Sequence, residues 1–215
     1  MAEAVAEALV VGADGLARCH WGASSPEYQR YHDEEWGRAV HGETALFERV
    51  TLEAFQSGLS WITILRKREA FRSSFLGFDA EKVARFTDDD MARLLADPQI
   101  VRNRAKIAAA VMNARAVLEV RDAFDGGLDA LIWSYAPGPG RPAPRRPGDV
   151  PATSPESTAL ARSLKRYGFS FVGPTTAYAA MQACGLVNDH FEGCHVRVLA
   201  GGAATVGTAR GKAAP

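Results

Sequence analysis

Cys19, His32, His190 and Cys194 are the residue types of a soft metal site, divided between the two ends of a 215-residue chain. His190 and Cys194 form a His-x3-Cys pair, one helical turn apart, so both ligand atoms can face one point. Cys19 and His32 are further apart in sequence, and a turn must bring them together. Two thiolates and two imidazoles make the tetrahedral set that zinc prefers, and four protein ligands leave no open position for a reactive water. The chemistry expected of this set is structural: a clasp that holds the two termini side by side.

Glu53 is the acid most in need of an explanation. It follows Leu46 by seven positions and Val50 by three, which puts it at the border of an apolar helical stripe. A carboxylate buried without hydrogen bonds costs several kcal/mol or takes up a proton. Two readings are open: a helix-edge glutamate bonded to a backbone group or an arginine, or an acid kept for a ligand. Trp21, Tyr28, Tyr31, Trp36 and Trp61 stand in the same N-terminal third. Some must fill the core. The others could stack above and below a flat, electron-poor ring with the carboxylate at its edge.

The elements that position these residues read as helices. Ser25-Pro26 is a start signal for a short helix carrying Tyr28, Tyr31 and His32 and stopping near Gly37. A second helix is expected from about Glu43 to Ser57 with Gly58 at its end, and a third from Trp61 towards Phe71 behind a Ser60 cap. Asp79 and Thr87 look like caps of two short helices, the latter with Asp90 at the acidic N3 position. The stretch ADPQIVRNRAKIAAAVMNARAVLEV reads as a helical hairpin turning at Asp97-Pro98, which two ordinary core helices would match equally well. Residues 136–155 hold most of the prolines and read as a surface loop. Two more helices follow, from Ser154-Pro155 to about Gly168 and from Thr175 to Cys184. Strand-like alternation is not evident, so the fold class expected is all-α.

Bulk composition sets limits. The length and a 47% hydrophobic content suit one domain, expected over residues 17–198 with flexible tails at 1–16 and 199–215. A formal net charge of zero means that any nucleic-acid contact must rely on local patches and backbone donors. Three unclustered cysteines suit a reducing cytoplasm, the N-terminus makes a poor secretory signal, and no apolar run approaches a membrane span. A cytoplasmic monomer without membrane contact is expected. Cys184 reads as a core thiol, and His20 and His41 as surface residues.

The segments RCHWG, YHDEEWG, LEAFQSGLSWITILRKRE, FVGPTTAYAAMQACGLVNDH and the closing His190-x3-Cys194 resemble bacterial DNA-3-methyladenine glycosylase I, in order and over roughly residues 17 to 198. The resemblance implies a helix-hairpin-helix glycosylase fold whose zinc joins the N- and C-terminal segments through Cys19, His32, His190 and Cys194. It implies Glu53 as the base-recognising and catalytic carboxylate, with Trp21, Tyr31 and Trp61 as aromatic walls. It also implies DNA-backbone binding by the hairpin, where Arg102, Arg104 and Lys106 could supplement free N–H groups, and places Gly58 and Leu59 against the DNA stack. His195 directly follows the last ligand and could compete with it, but the spacing favours Cys194.

The partner implied is double-stranded DNA containing alkylated purines, and the activity excision of 3-methyladenine to initiate base excision repair. Where many hairpin glycosylases carry an aspartate or a lysine nucleophile, this chain offers Asn113 and Arg115. That favours a monofunctional enzyme, which hydrolyses the N-glycosidic bond without cutting the strand. Two rivals remain at this level: a non-catalytic zinc-clasped DNA-binding module, and a glycosylase for another damaged base.

Overall fold

The computed structural model describes residues 8–197. Its elements in chain order are β1 (Leu9–Val11), β2 (Ala17–Cys19), α1 (Pro26–Glu34), α2 (Glu43–Gln56), α3 (Trp61–Ser74), α4 (Ala80–Ala84), α5 (Asp88–Ala96), α6 (Arg104–Ala123), α7 (Gly127–Trp133), α8 (Pro155–Arg166) and α9 (Pro174–Ala183). The helical class expected holds, with one addition. β1 and β2 pair antiparallel, Leu9 opposite Cys19 and Val11 opposite Ala17. This corrects the flexible tail expected over residues 1–16, whose second half is a hairpin too short to show alternation. The first seven residues and the tail expected over 199–215 lie outside the described residues.

Helix α2 is the centre. It packs on α3, α6, α7 and α9, and every residue from Val50 to Phe55 is buried. A helix enclosed on nearly all faces does not show the half-apolar stripe of a surface helix. Glu53 therefore sits inside, not at a border. Phe55 meets Phe71 of α3 at 4.7 Å between ring centroids, and Phe75 stacks on Phe78 at 5.6 Å. Burying each such ring contributes about 2–3 kcal/mol. The alanines of α6, among them Ala110 and Ala114, let neighbouring helices approach closely.

Caps set the helix starts as the sequence suggests. Ser25 Oγ accepts from Tyr28 N, Asp79 accepts from Lys82 N, and Thr87 and Asp90 form a reciprocal box. Ser60 departs from expectation: its hydroxyl meets Thr63 Oγ1 at 2.9 Å and makes no backbone cap. The start of α3 is instead anchored by Ile62 N, which donates to the Tyr28 hydroxyl at 3.0 Å. That bond ties Trp61 to α1. α7 was not foreseen; it is a short apolar helix that opens behind Gly126 and Gly127, both at positive φ.

A second, smaller core joins the chain's ends. Cys19, Phe191, Cys194 and Val196 pack together with Leu9, Trp21 and Val150. His195 N donates to Ala17 O at 2.9 Å, fastening the C-terminal segment to β2. The proline-rich loop is docked here too, through Glu192 N donating to Pro144 O at 2.8 Å and the Arg145–Glu192 ion pair at 2.7 Å. It is not a free surface excursion. Prolines exclude regular structure but say nothing about what the loop rests on.

Candidate active site

The four clustered ligand types converge. Cys19, His32, His190 and Cys194 are all buried, with one ligand atom from each within 4.8 Å of the others. His190 Nδ1 lies 3.2 Å from His32 Nε2 and 3.6 Å from Cys194 Sγ; Cys194 Sγ lies 3.4 Å from His32 Nε2, and Cys19 Sγ 3.7 Å from His190 Nδ1. Metal–sulfur bonds near 2.3 Å and metal–nitrogen bonds of 2.0–2.1 Å would give tetrahedral N···N and N···S edges of about 3.3 and 3.5 Å. The observed edges fit such a cage, so this group can bind a metal.

The supporting contacts match the way metal-binding histidines are held. His32 Nδ1 meets Asp33 Oδ1 at 2.7 Å, and His190 Nε2 meets the carbonyl of Trp36 at 3.0 Å. Asp33 is oriented in turn by Arg18, whose Nε donates to Oδ2 at 2.9 Å, and by His195 at 3.1 Å. His195 thus serves the carboxylate behind the cage and not the cage itself. Gly22 passes so close to His32 that a Cβ there would lie 2.6 Å from the imidazole ring. Arg18 and Asp33 were not singled out by sequence reasoning; the His-Asp dipeptide at 32–33 was the available signal.

Beside this clasp is a cleft of about 420 Å³. Trp21, Tyr31, Trp61 and Glu53 line it together, as the sequence led one to expect, and Tyr28 and Trp36 join them. Trp21 meets Trp36 edge-on at 5.0 Å, and Tyr31 lies 5.4 Å from Trp61. Trp61 Nε1 and His20 Nδ1 are buried without a hydrogen-bond partner. His20, expected at the surface, lines the cleft and stacks on Phe191 at 5.9 Å. His41 does lie outside, and Cys184 is a buried core thiol. Pro147 and Val150 bring the proline-rich loop into the cleft wall, while Gln182 and Asp189 add two polar groups.

Glu53 is 6% exposed, and among the described residues nothing donates a hydrogen bond to it. Burial pushes its carboxyl up to about 8, against a partial pull downwards from Arg49 one turn earlier. Arg49 itself is engaged by Glu35 at 3.0 Å. The first of the two sequence readings, an edge glutamate bonded to a neighbour, does not describe this residue. Tyr31, fully enclosed, is likewise held well above the usual phenol range, by burial first and by Glu53 second.

Gly58 and Leu59 form the turn after α2, Gly58 at φ +80°. They line a second cleft of about 310 Å³ that shares Glu53, Gln56 and Ala179 with the first. Leu59 is 40% exposed and so lies outside the core. The helical hairpin of α5 and α6 lies against this turn through Lys106. Its ammonium donates to Phe55 O at 2.9 Å and to Ser57 O at 2.5 Å, which closes the C-terminus of α2. Arg102 and Arg104 are exposed, but Lys106 is buried, so the expectation that it faces phosphate meets a residue turned inward. Arg66, Lys67 and Arg68 are engaged internally as well, with Glu27, the carbonyls of Pro98 and Gln99, and Glu35.

A family model described as methyladenine glycosylase matches residues 21–198. The chain is 43% identical over 180 residues to DNA-3-methyladenine glycosylase 1 of Escherichia coli, covering 83% of this chain and 96% of that protein. It is 41% identical to the DNA-3-methyladenine glycosylase of Haemophilus influenzae, covering 82% and 96%. Its structure is similar to that of the 3-methyladenine DNA glycosylase I of Staphylococcus aureus, solved for its recognition of 3-methyladenine. The TM-score is 0.78 at 37% identity, covering 84% of this chain and 96% of that one. Among the described residues no helix is long and apolar enough to cross a membrane.

Proposed function

The chain belongs to the methyladenine glycosylase family, and from that premise we propose that it excises 3-methyladenine from alkylated double-stranded DNA by hydrolysing the N-glycosidic bond. The observation that carries the reading is Glu53, a buried acid facing the cleft among aromatic rings with no protein hydrogen-bond donor of its own. A carboxyl held in that state is an unfavourable arrangement for the empty protein and a favourable one for a cation. Methylation of a ring nitrogen gives the base a positive charge. Inserted between Trp21, Tyr31 and Trp61, such a base draws the Glu53 carboxyl back towards ionisation, as any neighbouring cation does. A neutral adenine gives no comparable return. Selection therefore rests on charge as well as on shape, and an unpaired damaged base costs less to extrude.

The charged base is already a good leaving group. The C1′–N bond breaks with its electron pair going to the base, which leaves neutral; a water oxygen bonds C1′, and the water's proton passes to solvent. No residue forms a covalent bond to the sugar, so the product is an abasic site in an uncut strand. Glu53 acts on the base, and the rings around it exclude water from the base edge.

The hairpin of α5 and α6 holds the DNA backbone through the free N–H groups at the start of α6 with Arg102 and Arg104, while Gly58 and Leu59 fill the gap left by the extruded nucleotide. Lys106 supports that turn from behind. Cys19, His32, His190 and Cys194 suit zinc, which when bound would supply a structural clasp with no open coordination position. We place the enzyme in a single domain extending from the β1–β2 hairpin to the last ligand, working as a monomer in the cytoplasm. The test is incubation with methylated DNA followed by chromatography of the released bases. Release of 3-methyladenine with alkali-sensitive but otherwise intact strands is expected. Release of another base would reassign the substrate, and release of none would leave a DNA-binding module.

A further inference from the structure

Gln182 of α9 lines the base cleft together with Glu53 of α2, the helix on which α9 packs. Its Nε2 donates to Asp189 Oδ2 at 2.9 Å. That oxygen also accepts from the Tyr178 hydroxyl, whose own oxygen is taken by Arg141, so it is an acceptor and the carboxamide turns its amino end to it. The flip is fixed by chemistry. Oε1 is then the free end of the side chain. It accepts no hydrogen bond from the described residues and is not among the sealed, unpartnered atoms, so it opens onto the cleft.

Asp189 is well braced for this task. It is buried, the Tyr178 hydroxyl donates to the same oxygen at 2.6 Å, and Arg141 of the proline-rich loop approaches the other oxygen at 3.7 Å. Arg141 also donates to the Tyr178 hydroxyl at 2.9 Å. A hydrogen-bonded chain thus runs from the loop through Tyr178 and Asp189 to Gln182.

We propose that Gln182 is a specificity-determining residue, whose Oε1 accepts a hydrogen bond from the exocyclic amino group of the adenine ring and so disfavours purines that carry a carbonyl oxygen there. Asp189, Tyr178 and Arg141 are the positioning residues that keep the acceptor end turned inward. The inference rests on the proposed glycosylase reading. An exocyclic amine has two N–H bonds, so a base edge shared between Glu53 and Gln182 can give one to each. A 6-oxo purine would instead set two acceptors against each other, a mismatch that a polar site penalises more than a missing methyl group.

The test compares release of 3-methyladenine and 3-methylguanine from the same methylated DNA. Gln182→Leu keeps the size and removes the acceptor. Its kcat/KM for 3-methyladenine should fall about tenfold, the value of one lost hydrogen bond of about 1.4 kcal/mol, while release of 3-methylguanine holds or rises, so the ratio between the bases collapses. Asp189→Asn keeps the shape of the side chain and frees the flip; with unchanged metal content it should lower the same ratio. If Gln182→Leu does not fold, as judged by its melting curve, the Asp189→Asn ratio decides. A ratio within twofold of wild type in a folded variant overturns the inference. Wild-type protein that releases no methylated base would instead refute the glycosylase reading itself.

Discussion

Replacing Glu53 with glutamine should make the protein more stable as the pH rises. The folded carboxyl is held at about 8 by burial, against 4.5 for the same group in the unfolded chain. Below 4.5 both states are protonated and the acid costs nothing. Between 4.5 and about 8 the unfolded chain gives up the proton while the folded chain keeps it, so stability falls with pH; above 8 both are ionised and the loss is complete. At about 1.4 kcal/mol per pH unit the full penalty is roughly 5 kcal/mol. Roughly half of that should develop between pH 6 and pH 9, most of it before 8.

Glu53→Gln has the same shape and no proton to lose. Its unfolding free energy minus that of wild type should therefore climb by about that amount over the same range, or roughly 5–10 °C in melting temperature for a domain of this size. Urea titrations of both proteins at pH 6, 7, 8 and 9 give the difference, in which the proton dependence of the metal cage cancels. A difference that stays flat within about 0.5 kcal/mol would refute the claim that the protein keeps this acid protonated. The same variant should lose most 3-methyladenine release. Gain of stability with loss of activity is the pattern of a group retained for its ligand at the expense of the fold.

Four further outcomes follow from the geometry. Cys194→Ser should lower bound zinc, measured by elemental analysis, and melting temperature before activity, because the cage ties the C-terminal segment to β2 and contributes no reacting group. Gly22→Ala should do the same without touching a ligand, since its new Cβ would press on the His32 ring; normal zinc content in that variant would show that the chain can move aside there. Arg102→Ala and Arg104→Ala should each reduce the salt dependence of DNA binding by about one released counterion. Lys106→Met should leave that slope unchanged and cost about 1–3 kcal/mol of stability, through the uncapped carbonyls of Phe55 and Ser57.

What could be read from sequence, and what could not, divides along a physical line. Local signals were legible: Ser25, Asp79 and Thr87 cap helices because a short polar side chain beside a free N–H needs only its near neighbours. The spacing of His190 and Cys194 foretold a shared focus for the same reason, and the cage is where it should be. The residues missed owe their roles to distant partners. Lys106 looks like any exposed base at a helix start until α2 is seen to end against it. Asp189 is one acid among many until Tyr178 and Gln182 of α9 and Arg141 of the loop converge on it.

The proline-rich loop is the clearest instance of that divide. Its composition excludes helix and strand and invites the reading of a tolerant excursion. Yet Pro147 and Val150 close the base cleft, and Arg145 and Glu192 hold the loop to the segment that ends in the metal cage. The two halves of the site are therefore mechanically joined: the cage fixes Phe191 and Glu192, these receive the loop, and the loop completes the wall facing Trp21. A metal held by this group would act on the reaction only through the shape of the cleft. Its loss should accordingly raise KM and broaden the range of bases accepted before it slows the cleavage of a correctly seated one.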